Sequence, residues 1–404
     1  MTPIGSPRYV TAFNRGARVV SPFVRLDPQN LSDAARRRTR LEDFGDSTFR
    51  APLARLVEGL NHEAGLTLLG RIAARKDMGR LLASRLRMVE DRRSHPEIAA
   101  EEINRPIVIT GLPRTGTTIL HAILSQDPRN RVPLTWETMY PSPPPRTLTY
   151  NSDRRIQITR RQLGWLHRLA PDFRRIHPVD AQLPQECLVL QSLTFESYQF
   201  ETMYDVPSYH SWLEAEDLRH SYEGHRFFLQ NLQWRCRSER WVLKAPAHLF
   251  GLPALFATYP DAGVVMTHRA PLEVVGSLAS LTAVLRGAFS ETVNPKRVGP
   301  EMTVRWQRGM TKALADRDAG CAPSNQFFDV DYRELVRDPI GIVHGMYRHF
   351  GIDWCSEAEA RMRAFLARNP KDKHGKHIYT LEQFGLDADE ERERYRAYSD
   401  RFGL

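Results

Sequence analysis

Short apolar runs separated by longer amphipathic stretches set the texture of the chain from about residue 105 onward. Ile107, Val108, Ile109 and Thr110 form a β-branched run that predicts a buried strand. A glycine-bearing turn follows, and then an apolar helix from about Thr117 to Ser125. Trp241 to Lys244, Val264 to Met266, and the group Phe327, Phe328 and Val330 predict three further strands. Strands that alternate with longer helical patterns predict a parallel sheet with helices on both faces. Upstream, from about Leu31 to Glu101, the pattern is helical: Leu53, Leu56, Val57 and Leu60 recur at helical spacing, and His95-Pro96 closes the stretch. Residues 1–100 therefore read as a helical N-terminal extension, and 101–404 as an α/β domain. A mostly helical insert is expected at about 140–235, beginning at the proline-rich string PSPPP (141–145).

Composition narrows this picture. A chain of 404 residues with 41% hydrophobic and 26% charged residues can bury a sizeable core. The net charge of +9 suits polyanionic cofactors, nucleic acids or anionic membranes without choosing among them. Cys187, Cys236, Cys321 and Cys355 are widely spaced and form no CxxC pair, which argues against a disulfide framework or a thiolate zinc site. With no secretory leader and no apolar run of about 18 residues, the expectation is a cytosolic protein that can also touch a membrane surface. The short arginine clusters at 36–40 and 154–161 lie on helical patterns and lack the interleaved aromatics of a nucleic-acid reader, so no nucleic-acid partner is expected. Oligomeric state is not legible.

The candidate chemistry begins at Gly111–Thr118, GLPRTGTT, between the first strand and its helix. In that context glycines let successive N–H groups and the helix N-terminus converge on one anion. Arg114 adds a charged fork, and Thr117 and Thr118 add hydroxyls. The string nearly fits GxxxxGK[ST], which predicts a P-loop-like α/β fold, but Thr117 stands where the lysine of a nucleoside-triphosphate loop belongs. No acidic residue at a later strand end stands out as a magnesium ligand. A nucleotide-dependent kinase or ATPase is thus the alternative reading.

The segment from Arg105 to Glu137, with its PRTGTT string, resembles the 5′-phosphosulfate loop of sulfotransferases that use 3′-phosphoadenosine 5′-phosphosulfate (PAPS). It is most similar to the branch that holds the protein-tyrosine sulfotransferases and many bacterial enzymes. The resemblance implies that Arg114, Thr115, Gly116, Thr117 and Thr118 hold the 5′-phosphosulfate. Arg269 and Ser277, eight apart across a strand–helix junction, match the family's pair on the 3′-phosphate. Lys244 would stabilise the sulfuryl group in flight, and Tyr332 would lie near the adenine. The stretch from Lys371 to Leu386 is more loosely similar to a cofactor lid, where Lys373, His374, Gly375 and His377 would cover the 3′-phosphate. No metal is required if Arg114 and Lys244 supply the charge, and His374 with His377 has no acidic partner at ligand spacing.

Sulfuryl transfer also needs a base for the acceptor proton. Glu137, 23 residues after Arg114, leads by the resemblance, because several branches place a catalytic glutamate at about that distance. His248 follows, although the family's cytosolic branch has its histidine two residues after the lysine, where Pro246 stands here. Glu186, early in a helix of the insert, is the third candidate. The aromatic string Phe195, Tyr198, Phe200, Tyr204, Tyr209 and Trp212 fits either the wall of an apolar acceptor pocket or core packing. The acceptor implied is a hydroxyl-bearing small apolar molecule, lipid or glycolipid.

Overall fold

The β-branched run forms β1 (Ile107–Gly111), the central strand of a five-stranded parallel sheet in a computed structural model that describes residues 23–169, 179–369 and 380–404 together with Asn14 and Gly16. Its neighbours are β2 (Asn130–Arg131), β3 (Arg240–Lys244), β4 (Gly263–His268) and β5 (Phe327–Asp331), in the order β2-β3-β1-β4-β5. Four of the five were legible as apolar runs. The missed strand, β2, is two polar residues long and is held by Asn130 opposite Arg240 and Arg131 opposite Trp241.

The three central strands β3, β1 and β4 are buried along almost their whole length, which is why they read as continuous apolar runs rather than alternating ones. Ile107, Ile109, Val242, Val265 and Val330 pack on one face with Leu120, Ile123 and Leu124. Val108, Leu243, Val264 and Met266 face the opposite, larger core.

Three helices precede the sheet: α1 (Pro28–Thr39), α2 (Arg50–His62) and α3 (Leu68–Ser94), the last stopping before His95-Pro96. Their apolar stripes (Leu53, Leu56, Leu60, Met78, Leu82) join the same core as Phe195, Phe200 and Tyr204 of the later insert. Helices α1 to α3 thus share a core with the helices of the insert. Helix α4 (Thr117–Leu124) follows β1. Between β2 and β3 lie α5 (Thr135–Met139), α6 (Arg154–Leu169), α7 (Cys187–Gln191), α8 (Gln199–Met203), α9 (Pro207–Ala215) and α10 (Arg219–Gln233). Helix α11 (Leu252–Thr258) links β3 to β4, and α12 (Val275–Gly287) and α13 (Pro295–Asp318) link β4 to β5. After β5 come α14 (Tyr332–Arg337), α15 (Pro339–His349), α16 (Ser356–Arg368), α17 (Ala388–Arg394) and α18 (Arg396–Phe402).

Strand register fixes the site. Ile109 stands opposite Lys244 and Gly111 opposite Thr267, so the carboxyl ends of β1, β3 and β4 form one edge. In open α/β sheets a ligand crevice opens at that edge, beside the strand from which the chain runs to either side. The last helix is tied to the same end: His268 bonds Asp329 at 2.9 Å and the Tyr398 hydroxyl at 3.2 Å, and stacks on Phe402 at 3.7 Å.

Candidate active site

The loop between β1 and α4 has the backbone an anion cradle needs. Arg114 has φ +70° and Gly116 φ +93°, two left-handed residues with one residue between them, which turns successive N–H groups toward one point. Arg114 is a non-glycine residue in that region, a conformation retained only where the surroundings impose it. Gly111 and Gly116 are required for space as well. A Cβ on Gly111 would lie 2.4 Å from the Thr267 carbonyl, and one on Gly116 would lie 2.9 Å from Leu335 Cδ2 and 3.0 Å from Tyr332 Cδ2. Thr115 is buried beneath the loop, donating to the Leu112 carbonyl at 2.6 Å and meeting Thr267 Oγ1 at 2.5 Å. Thr267 was not singled out in the sequence, and its only signal there is a threonine at the end of an apolar strand. Thr117 is buried in the first turn of α4, whereas Arg114 and Thr118 are exposed at the mouth.

The second anion group lies beside the first. Arg269, just past β4, donates from Nη1 to the Arg114 carbonyl at 3.0 Å and from Nε to Glu273 at 2.9 Å. Its guanidinium lies 4.1 Å from the centre of the Tyr332 ring. The Tyr332 ring in turn abuts Gly116. The structure therefore brings Arg114, Gly116, Arg269 and Tyr332 into one continuous surface, although Tyr332 is 63 residues beyond Arg269 in sequence (332 − 269). Ser277, half-buried, occupies the first turn of α12. Lys373, His374, Gly375 and His377 lie outside the described residues.

The third group lies at the end of β3. Lys244 ends β3 almost fully buried, with Nζ 3.4 Å from Thr118 Oγ1 and in an ion pair with the Glu186 carboxylate. Glu186 caps the start of α7 and keeps part of its side chain open to solvent. Its segment is held by the Gln185 N–H donating to the Pro133 carbonyl at 2.8 Å.

Glu137, the leading base candidate in the sequence, sits elsewhere in its environment. It is wholly buried, with Oε1 2.6 Å from Arg131 Nη2 and Oε2 accepting from the Leu134 N–H and the Tyr150 hydroxyl, both at 2.9 Å. Arg131 itself is buried against Trp241, its guanidinium 4.5 Å from that ring. Both carboxylate oxygens are thus engaged, one in an ion pair and the other in two hydrogen bonds. His248 is also sealed in the core. Its Nδ1 meets the Tyr222 hydroxyl at 2.6 Å, and burial, with His225 and Lys244 nearby, drives its pKa well below the usual histidine value. A neutral imidazole so weakly basic and so enclosed is poorly suited to take a proton from an arriving acceptor.

Of the aromatic string, Phe195, Tyr198, Phe200, Tyr204 and Tyr209 are core residues. Phe195 stacks on Phe200, Tyr198 stacks on Phe250, and the Tyr209 hydroxyl is bonded to the Phe195 carbonyl at 2.7 Å. Only Trp212 is partly open. No cluster of His, Cys, Asp and Glu suited to a metal ion occurs among the described residues. None of their helices is long and apolar enough to cross a membrane.

A parallel sheet with a glycine-bent loop after its central strand, a lysine ending the neighbouring strand and an arginine just past the next make a P-loop-like α/β fold. The chain belongs to the sulfotransferase family, whose model matches residues 106–356. It is similar to the crystal structure of sulfotransferase STF1 from Mycobacterium tuberculosis H37Rv, with a TM-score of 0.83 and 34% identity over 92% of this chain and 99% of that one. Sulfotransferase STF9 from Mycobacterium avium matches with a TM-score of 0.82 and 28% identity, over 93% of this chain and 96% of the other. The omega-hydroxy-beta-dihydromenaquinone-9 sulfotransferase Stf3 of Mycobacterium tuberculosis is 25% identical over 294 residues, 69% of this chain and 71% of its own.

Proposed function

We propose that this sulfotransferase takes its sulfuryl group from PAPS and transfers it to the hydroxyl of a lipid-like acceptor, with Glu186 as the base and Lys244 as the cation at the reacting centre. The observation that carries this reading is the Lys244 ammonium standing between Thr118 of the anion loop and the Glu186 carboxylate. A cation there touches the donor side and the acceptor side at once.

The donor set fits the PAPS anions. The loop N–H groups, Arg114, Thr117 and Thr118 suit the 5′-phosphosulfate, and Arg269 with Ser277 suits the 3′-phosphate, leaving Tyr332 as a flat wall for the adenine. In the transfer the acceptor oxygen bonds to sulfur as its proton passes to the Glu186 carboxylate. The bond from sulfur to the bridging oxygen breaks, and adenosine 3′,5′-bisphosphate leaves with the electron pair. Lys244 and the loop N–H groups oppose the charge that develops on that oxygen, which is where preorganised donors lower a barrier most.

The kinase or ATPase alternative is disfavoured by specific contacts. Thr117 replaces the loop lysine, and the acids at the end of β5 are already engaged: Asp329 by His268 and Arg317, and Asp331 by Arg333 and the cap of α14. Neither offers a carboxylate ready for magnesium. The lipid-like acceptor rests on Stf3, whose name gives it a hydroxylated menaquinone derivative, and on the site's place beneath the helical insert.

Calorimetric titration with adenosine 3′,5′-bisphosphate, with ATP and magnesium as the comparison, tests the donor. Saturable binding of the bisphosphate and weak binding of ATP are expected. Binding of ATP alone would transfer the site to the nucleoside-triphosphate class.

A further inference from the structure

Beside Glu186 the molecule carries a basic, partly apolar face that the transfer chemistry does not use. It is built from the 3₁₀ turn Thr147–Ser152 and α6. Residues 141–164 contain five arginines (146, 154, 155, 160 and 161) and one acid, Asp153. Arg155 is consumed internally, pairing with Asp153 at 2.7 Å, donating to the carbonyls of Tyr140 and Pro143, and lying 4.7 Å from the Trp136 ring. Arg160 turns to Asp180 at 3.4 Å. The remaining three are exposed, and no acidic side chain among the described residues lies within ion-pair distance of Arg146, Arg154 or Arg161.

Helical spacing decides how α6 presents them. Arg155, Ile156, Thr159 and Leu163 are buried, while Arg154, Ile158 and Arg161 fall at i, i+4 and i+7 on the exposed side. Leu148, in the preceding turn, is 97% exposed. Single exposed apolar residues are ordinary. Here, however, an exposed leucine and an exposed isoleucine stand with three exposed arginines in one short stretch of chain, a pattern that suits an interface with apolar depth and anionic heads.

The face is also coupled to the site. Trp136, on which Arg155 lies, donates its N–H to the Ala181 carbonyl at 2.9 Å, and Thr135 donates to the Leu183 carbonyl at 3.1 Å. Three residues after Leu183, itself 39% exposed, the chain reaches Glu186.

We infer that the Leu148–Arg161 face docks the enzyme on an anionic lipid surface, with Leu148 and Ile158 entering among the headgroups and Arg146, Arg154 and Arg161 meeting their phosphates. The charge complementarity selects a lipid surface rich in anionic heads, and the neighbouring Glu186 is then held next to where a lipid acceptor resides. The inference rests on the lipid-like acceptor proposed above, but its test needs no acceptor.

The experiment is co-sedimentation of the full chain with vesicles of phosphatidylcholine alone and of phosphatidylcholine mixed with phosphatidylglycerol, at low and high salt. The expected result is at least tenfold stronger partition onto the mixed vesicles, lost at high salt. Because each surface arginine contributes about fivefold, the double variant Arg154→Gln/Arg161→Gln should partition about 25-fold more weakly. Leu148→Ser should weaken partition several-fold. Titration of each variant with adenosine 3′,5′-bisphosphate checks that the fold is kept and reads the donor proposal separately. Equal partition onto both vesicles, unchanged partition of the variants, or capture by RNA without capture by vesicles would overturn the inference.

Discussion

Lys244 and Glu186, 58 residues apart in sequence, form an ion pair at the carboxyl end of β3, with the lysine also facing Thr118 of the anion loop. The lysine is the counter-charge of a carboxylate that stays partly open to solvent. Replacing Glu186 with Gln removes the proton acceptor but leaves the donor site. We predict a fall in kcat of roughly 10²–10⁴-fold with affinity for adenosine 3′,5′-bisphosphate retained, read by steady-state kinetics and calorimetry on one preparation.

Glu137→Gln is predicted to act differently. It leaves the buried Arg131 guanidinium without its counter-charge, a loss of about 3–5 kcal/mol. Denaturant unfolding should show that loss directly. A variant of undiminished stability and abolished turnover would return Glu137 to the role of base.

The contrast between these two glutamates shows where the sequence was legible. Distance along the chain from Arg114 favoured Glu137, but it carries no information on which way a side chain points. The first turn of α5 aims Glu137 inward, where Leu134, three residues before it, and Arg131, six before it, take its oxygens. That spacing was visible, yet nothing local marks Arg131 as buried, because burial of a charge is not a local property. Glu186 came third, and its partner Lys244, 58 residues away at the end of β3, leaves no local trace in the sequence. By contrast β1, β3 and β4 were readable, since strands buried on both faces need unbroken apolar runs, and β5 was readable from Phe327, Phe328 and Val330. The anion loop was readable because its glycines and arginine are contiguous. The joining of Arg269 to Arg114 and Tyr332 depended on strand order, which places β4 beside β1 and β5 beside β4.

Arg269 stacks on Tyr332 and bonds the Arg114 carbonyl, so it both supplies charge and shapes the loop. Arg269→Ala is predicted to weaken adenosine 3′,5′-bisphosphate binding by about tenfold to 100-fold, the worth of a charge-assisted hydrogen bond of about 1.5–3 kcal/mol. Adenosine 5′-monophosphate, which lacks the 3′-phosphate, should be affected much less. Equal losses for both ligands would place Arg269 away from that phosphate.

Glu196 offers a pH-dependent test of the insert. Burial, reinforced by Glu216 and Asp217, raises its pKa to about 7 from an ordinary value of 4.5. A carboxyl whose pKa is raised on folding binds its proton more tightly in the folded state, so stability falls as pH rises from about 4.5 to about 7 and is flat above. Glu196→Gln removes the titrating group. The variant should gain stability over the parent at pH 8 but not at pH 4, measured by urea unfolding at both.

The most direct test of the central claim is transfer of radiolabelled sulfate from PAPS to an apolar primary alcohol, comparing the parent chain with Lys244→Ala and Glu186→Gln under single-turnover conditions. The account predicts labelled sulfate ester from the parent and a loss of at least about 100-fold in the rate of the chemical step for each variant, with the bisphosphate still bound. Transfer at the parental rate by both variants would contradict it.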